Sequence, residues 1–153
     1  KGLTIGIYSD IQKPVTPLGT IKTNNALIYV LAGVYAQKNQ LDDALIVNSS
    51  GYLVESTSSN LFAIDGKTVF TPALSSGCVT GTMRKKMIEL IRQSGFKVEE
   101  DAEILPDDLL KMEEVFLTNA MAGIKWVAAY QNRRYYKKKS QQFINKLNQL
   151  AGF

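Results

Sequence analysis

The dipeptide Asp65-Gly66, set between the apolar runs 61–64 and 69–71, constrains the fold of this chain more than any other feature. A two-residue loop of this kind needs a positive φ, which glycine supplies freely, and its twist matches that of the flanking strands, so the two runs fold back as an antiparallel hairpin. The same grammar recurs upstream, where residues 44–47 and 52–55 read as short strands around the turn Asn48-Ser49-Ser50-Gly51. This part of the chain is therefore mostly antiparallel sheet. Residues 1–9 read as a further strand, and Pro14 and Pro17 mark the loop after it.

Helical periods interrupt the strands. Leu27, Val30, Leu31, Val34 and Tyr35 follow the spacing of a helix with one buried face, and Asn39 is a stop signal. Met83, Met87, Leu90 and Ile91 stripe a second helix that Gly95 ends, and the two methionines read as core packing. Residues 96–98 suggest a strand, and Pro106-Asp107-Asp108 opens a short helix with acids in its first turn. Strands at 115–117 and 125–129 come next, then a closing helix striped by Phe143, Ile144, Leu147 and Leu150. The sum is a mixed α/β (α+β) chain of single-domain size, 153 residues without internal repeat or linker.

Composition narrows the chemistry. With 45% apolar and 21% charged residues and no apolar run of membrane-spanning length, the chain reads as a soluble protein without a membrane partner or a signal-like start. No histidine is present, which excludes a Ser-His-Asp triad and a histidine-based zinc site within it, and no metal is expected. The single cysteine, Cys78, cannot form an internal disulfide and suits a reducing cytoplasm. The net charge of +4 is local: from Tyr130 onward six basic and no acidic residues occur, leaving twelve basic against fourteen acidic elsewhere. Arg133-Arg134-Tyr135-Tyr136-Lys137-Lys138-Lys139 interleaves cations and aromatics, yet it reads as a basic turn leading into a surface helix rather than a nucleic-acid site.

Four segments remain: Lys22; Val54-Glu55-Ser56-Thr57-Ser58-Ser59-Asn60-Leu61-Phe62; Gly81-Thr82-Met83-Arg84; and Glu114-Val115-Phe116-Leu117-Thr118-Asn119-Ala120. Each alone is ordinary, a loop lysine, an edge carboxylate, a helix start and a turn. Their order and spacing, with Thr71-Pro72 between the second and third, form a long signature that resembles the class IV (fold-type IV) pyridoxal-phosphate-dependent aminotransferases. That family includes branched-chain and D-amino acid aminotransferases and aminodeoxychorismate lyase, and the resemblance runs from about Thr20 to Val127. It implies the family's larger domain, an α/β pseudo-barrel that holds pyridoxal 5'-phosphate on one side.

The resemblance also assigns roles. Lys22 is the catalytic residue, holding the cofactor aldehyde as a Schiff base and shuttling the substrate proton. Glu55 sits beside the pyridine nitrogen and keeps it protonated. Thr82 and Met83 offer backbone N–H groups at a helix N-terminus to the phosphate, with Asn119 and Ala120 as a second wall. Residues 1–153 are then expected to be the carboxy-terminal cofactor domain of a larger enzyme, a homodimer when whole, acting on an amino acid and a 2-oxo acid. A smaller amino-terminal domain, supplying an arginine to the phosphate and part of the substrate pocket, is expected to precede it.

Departures from the family pattern keep two enzymes open. Branched-chain enzymes follow the lysine with Gly-Gly-Asn-Tyr, whose tyrosine meets the cofactor's phenolic oxygen, where this chain has Thr23-Asn24-Asn25-Ala26. Met83 stands in place of a phosphate-binding threonine, and Thr118-Asn119-Ala120 in place of Ser/Thr-Gly-Thr. These changes lean towards 4-amino-4-deoxychorismate lyase, which releases pyruvate and 4-aminobenzoate. A branched-chain-like aminotransferase stays the first reading, because the Glu-x-x-x-x-Asn-Leu-Phe and Thr-Pro segments are common to both branches and members of the family more often carry the aminotransferase name. A non-catalytic relative comes last, since it would keep Lys22 and Glu55 only by accident.

Overall fold

The computed structural model describes residues 1–15, 27–79 and 81–152. In chain order the elements are β1 (Leu3–Lys13), α1 (Leu27–Lys38), β2 (Asp43–Asn48), β3 (Leu53–Ser56), β4 (Asn60–Asp65), β5 (Thr68–Pro72), α2 (Thr82–Gln93), β6 (Lys97–Ala102), β7 (Glu114–Asn119), β8 (Gly123–Tyr130), β9 (Arg133–Arg134) and α3 (Lys139–Leu150). A single 3₁₀ turn occupies Leu74–Ser76, and a short 3₁₀ helix of six residues Pro106–Lys111. Among the described residues no helix is long and apolar enough to cross a membrane.

The strands run β3-β2-β1-β8-β7-β4, and β4 pairs back onto β3, so six of them close into a barrel. β5 and β6 extend the sheet beyond β4, and β9 pairs with β8. This is the pseudo-barrel the motifs implied. The hairpin grammar holds for β2–β3 and for β4–β5, where Gly66 takes φ 62°. Two connections through helices add parallel pairs instead: β1 lies parallel to β2 across α1, and β5 parallel to β6 across α2.

Three apolar clusters follow from the alternation of side chains across the sheet. Ile5, Leu45, Val47, Leu53, Leu61, Ala63, Val115, Leu117 and Val127 fill the barrel. Phe62, Ile64, Val69 and Phe116 face outward onto Met87, Leu90 and Ile91 of α2 and Phe143 of α3, with Phe62 and Phe116 stacked at 5.1 Å. Tyr8, Ala44 and Ile46 face outward onto α1.

Two helices follow only part of the stripe their sequence periods select. In α1 the small Ala32 and Ala36 lie against the sheet, whereas Leu27, Val30 and Val34 are exposed at 60%, 58% and 41%. Alanines permit a closer approach of helix to sheet than a leucine or valine stripe does, so Leu27, Val30 and Val34 turn outward while Leu31 and Tyr35 of the expected stripe pack half-buried against the same cluster. In α3 the stripe ends at Leu147, and Leu150 is exposed. β1 continues to Lys13, four residues past the expected end. The basic tail is partly structural: Arg133 donates to the Met112 carbonyl, buried Tyr135 to the Leu109 carbonyl, and Lys139 to Glu113 and the Gly66 carbonyl.

Candidate functional site

A cavity of about 400 Å³ opens on the outer face of β3, β4 and β7, bounded by Tyr29 of α1, the turn 56–59, the first turn of α2, and the corner Thr118-Asn119-Ala120. Its volume falls in the range of small-molecule sites. Glu55, Thr82, Met83, Asn119 and Ala120 all line it, so five of the six expected site residues are brought together. The sixth, Lys22, lies outside the described residues.

Glu55 reaches the cavity because β3 is irregular. Ile46 pairs with Glu55 and its neighbour Val47 with Leu53, so one step along β2 spans two along β3. The extra residue, Val54, breaks the alternation: Leu53 points into the barrel while Glu55 joins Ile46 on the face under α1. An irregularity in β1 has the same effect. Tyr8 pairs with Ile46 and Lys13 with Asn48, five residues against two, which brings Lys13 onto that face.

Buried Lys13 and Glu55 and half-buried Tyr29 form a triangle there. Lys13 Nζ and Tyr29 OH each donate to Glu55 Oε2 at 2.7 Å, and Lys13 Nζ also donates to Tyr29 OH at 2.9 Å. Glu55 Oε1 accepts from the Val79 N–H at 2.8 Å. Burial, reinforced by the neighbouring Glu55 charge and hydrogen bond, pushes the Tyr29 phenol far above its ordinary value, so it stays a donor. The segment 22–26 lacks the family's tyrosine, but Tyr29, in the first turn of α1, reaches the cavity at its carboxylate end.

The other end is built from backbone. Gly81 is the N-cap of α2 in extended conformation, and the first intrahelical bond runs from Lys85 N to Gly81 O. The N–H groups that precede it, on Thr82 and Met83 among others, are therefore without helical partners. A Cβ on Gly81 would come within 2.8 Å of Asn60 Oδ1, so only glycine lets this turn approach β4 so closely. Arg84 of the same motif turns away, its guanidinium donating to the Pro72 and Glu100 carbonyls and tying β5 to β6.

The Glu-x-x-x-x-Asn spacing has a visible purpose. Glu55 accepts from the N–H of Val79, and Asn60 Nδ2 donates to its carbonyl at 3.1 Å, so both ends of the motif grip one residue just before α2. The opposite wall is braced likewise: Asn119 Nδ2 donates to Ser59 Oγ, while Asn119 Oδ1 accepts from Met121 and Ala122 N–H. Asn119 thus shapes the wall with its side chain spent on protein partners. Sequence reasoning missed Lys13, Tyr29 and the bracing role of Asn60; the first two carry no spacing signal, since strand irregularities and the seating of α1 bring them in.

Thr118 Oγ1 is buried and has no partner among the described residues, on a strand that lines the cavity. A buried hydroxyl left so costs free energy unless a ligand supplies its partner. With a carboxylate, unpartnered N–H groups at a helix N-terminus and this hydroxyl around one cavity, the donor set fits an aromatic nitrogen base bearing a phosphate.

Comparison with known proteins bears on the same residues. The model of the amino-transferase class IV family matches residues 1–130. An aminodeoxychorismate lyase of Vibrio harveyi is 34% identical over 125 residues, covering 81% of this chain and 45% of its own length. The mitochondrial branched-chain amino acid aminotransferase 1 of Humulus lupulus is also 34% identical, over 132 residues, 83% of this chain and 33% of its own. The crystal structure of an aminotransferase from Brucella abortus bound to pyridoxal phosphate superposes with a TM-score of 0.85 at 23% identity, covering 96% of this chain and 53% of that one. The chain thus spans well under two thirds of the proteins it matches. A barrel of this topology, a carboxylate and a helix start at the two ends of one cavity, and a match over residues 1–130 place the chain in the class IV aminotransferase family.

Proposed function

We propose that this chain is the cofactor-holding part of a pyridoxal-phosphate-dependent aminotransferase that moves an amino group from an amino acid to a 2-oxo acid. The observation that carries the reading is a single cavity lined both by Glu55, braced by three donors, and by the start of α2 with its partner-free N–H groups. When bound, pyridoxal phosphate supplies an electron sink that makes the α proton of an amino acid removable.

The protein's part is to hold and to orient. Thr82 and Met83 donate backbone N–H groups to the phosphate, where the positive end of the helix dipole adds to the attraction. Glu55 holds a proton at the ring nitrogen. Asn119 and Ala120 close the second wall beside the phosphate. Lys22, assigned from the resemblance alone, anchors the cofactor and moves the substrate's α proton. The proposal extends to a homodimer in a reducing cytoplasm, in keeping with the resemblance and with one buried thiol.

A second reading is favoured by a specific observation. Met83 and Ala120 line the cavity where the aminotransferases carry hydroxyl residues, and the lyase of Vibrio harveyi matches as well as the plant aminotransferase. In that reading the same residues bind cofactor, and loss of the α proton is followed by expulsion of pyruvate.

Borohydride reduction of the cofactor-loaded protein, followed by peptide mass mapping, tests the assignment. Pyridoxyl mass is expected on the peptide bearing Lys22; its appearance on Lys13 or Lys125 overturns it. Loss of the bound cofactor's visible band on addition of branched-chain amino acids then supports the aminotransferase, and 4-aminobenzoate formed from aminodeoxychorismate supports the lyase.

A further inference from the structure

Glu55 is the one carboxylate among the described residues that line the cavity, and it is not alone in its surroundings. Lys13 is only 6% exposed and Glu55 3%, so the 2.7 Å pair between them is a buried ion pair rather than a surface contact. Oε2 takes both Lys13 Nζ and Tyr29 OH, which fills its two lone pairs. Oε1 takes one bond from Val79 N–H and keeps a second lone-pair direction. Among the described residues, the groups that face Glu55 from packed elements are Lys13 on β1, Tyr29 on α1 and the Cys78 thiol before α2, whose ionisation burial pushes up to about 11.

We infer that Lys13 is a positioning residue acting through Glu55: its charge keeps the proton shared by the carboxylate and the cofactor on the ring nitrogen, while Tyr29 helps to fix Oε1 as the oxygen that faces the ring. The inference rests on the reading of the cavity given above. A carboxylate out of water beside a pyridine nitrogen has two ways to hold one proton, on oxygen with both groups neutral or on nitrogen as an ion pair. Desolvation alone favours the neutral arrangement. A cation touching Oε2 reverses that preference, because Coulomb energy falls as 1/r. Lys13 is attracted to the adjacent carboxylate more strongly than it is repelled by a ring nitrogen on the carboxylate's far side. Tyr29 acts in the same sense as a neutral dipole, and therefore more weakly.

The test loads the protein with pyridoxal phosphate labelled with ¹⁵N in the ring and reads the nitrogen's chemical shift. Wild type is expected at the protonated value. Lys13→Gln keeps a hydrogen-bond donor without the charge and is expected to change the ratio of protonated to unprotonated nitrogen ~10-fold or more, the equivalent of one pKa unit. Lys13→Arg is expected to restore the wild-type chemical shift, which a purely structural role for the side chain does not explain. Tyr29→Phe leaves the ion pair in place and so keeps the fold, and it is expected to move the resonance in the same direction by less. A Lys13→Gln protein with the wild-type chemical shift, or a Tyr29→Phe protein with no movement should Lys13→Gln not fold, overturns the inference. A wild-type protein that takes up no cofactor, or carries an unprotonated nitrogen, overturns the reading of the cavity itself.

Discussion

The two ends of the cavity are built on opposite plans. At the carboxylate end, charged and polar side chains from β1, β3 and α1 converge under burial, and each is fixed by the others. At the helix end, Thr82 and Ala120 are exposed, Met83 is half-buried, and the donors are main-chain N–H groups whose direction α2 sets. The first end depends on side-chain identity and the second on backbone geometry. Substitutions should therefore act in contrary ways: a mild change of side chain is drastic at the first end, and at the second it is nearly silent unless a main-chain N–H is lost.

The largest effect is expected from Glu55→Gln, a change of nearly equal size and shape. All three described partners of Glu55 donate, and glutamine offers one acceptor oxygen where glutamate offers two. The amide must then face at least one donor with another, and Lys13 is left buried without its counter-charge. Breaking a buried pair in this way costs about 3 kcal/mol or more, on the order of 10 °C in melting temperature for a chain of this length. Thermal unfolding of the cofactor-free protein checks it. A melting temperature unchanged from wild type would remove the contrast between the two ends, since Glu55 would then act only on bound cofactor.

At the helix end the matching change is proline. Thr82→Pro and Met83→Pro each delete one N–H while the first turn of a helix tolerates the ring. Each is expected to weaken cofactor binding ~10-fold or more, the loss of one hydrogen bond to a charged group, whereas Met83→Leu is expected to stay within about two-fold because a thioether donates nothing. The measurement is cofactor affinity, with circular dichroism to show that each protein is folded. Wild-type affinity in both folded proline variants would put the phosphate elsewhere.

The same division explains what could be read from the sequence. Hairpins were legible because Asp65-Gly66 and the 48–51 turn act locally, whereas the signature Glu-x-x-x-x-Asn was legible only through the family resemblance, and its hold on Val79 emerges from the fold. Lys13 and Tyr29 were not, since each reaches Glu55 only through tertiary structure: an irregular ladder in β1 and the seating of α1. The buried face of α1 departs from its sequence period for a related reason. Periodicity counts bulky apolar residues, and here the sheet takes the alanines at 32 and 36 while Val30 and Val34 turn away. The parallel pairs β1–β2 and β5–β6 are equally non-local, fixed by crossovers that no hairpin signal announces.

A last effect, on stability and confined to alkaline pH, lies at Cys78, one residue before the Val79 that Glu55 and Asn60 grip. Burial raises its thiol from an ordinary 9 to about 11, Arg84 opposing the rise and Glu55 adding to it. Its sulfur donates to the Pro72 and Ala73 carbonyls, bonds that a thiolate cannot make. Because the folded value lies above the unfolded one, the contribution is fully present below pH 9 and is lost as pH rises from 9 towards 11, where the unfolded chain ionises and the folded chain resists. A rise of that size bounds the loss at ~2–3 kcal/mol. Urea unfolding of wild type and Cys78→Ala at pH 8 and pH 10.5 separates this group from others that titrate in the same window. The variant starts lower because a side chain is lost from the core, but it should fall less between the two pH values. Equal falls would mean that the thiol ionises freely in the folded protein, and that the segment joining the carboxylate end to α2 is looser than its hydrogen bonds to Glu55 and Asn60 indicate.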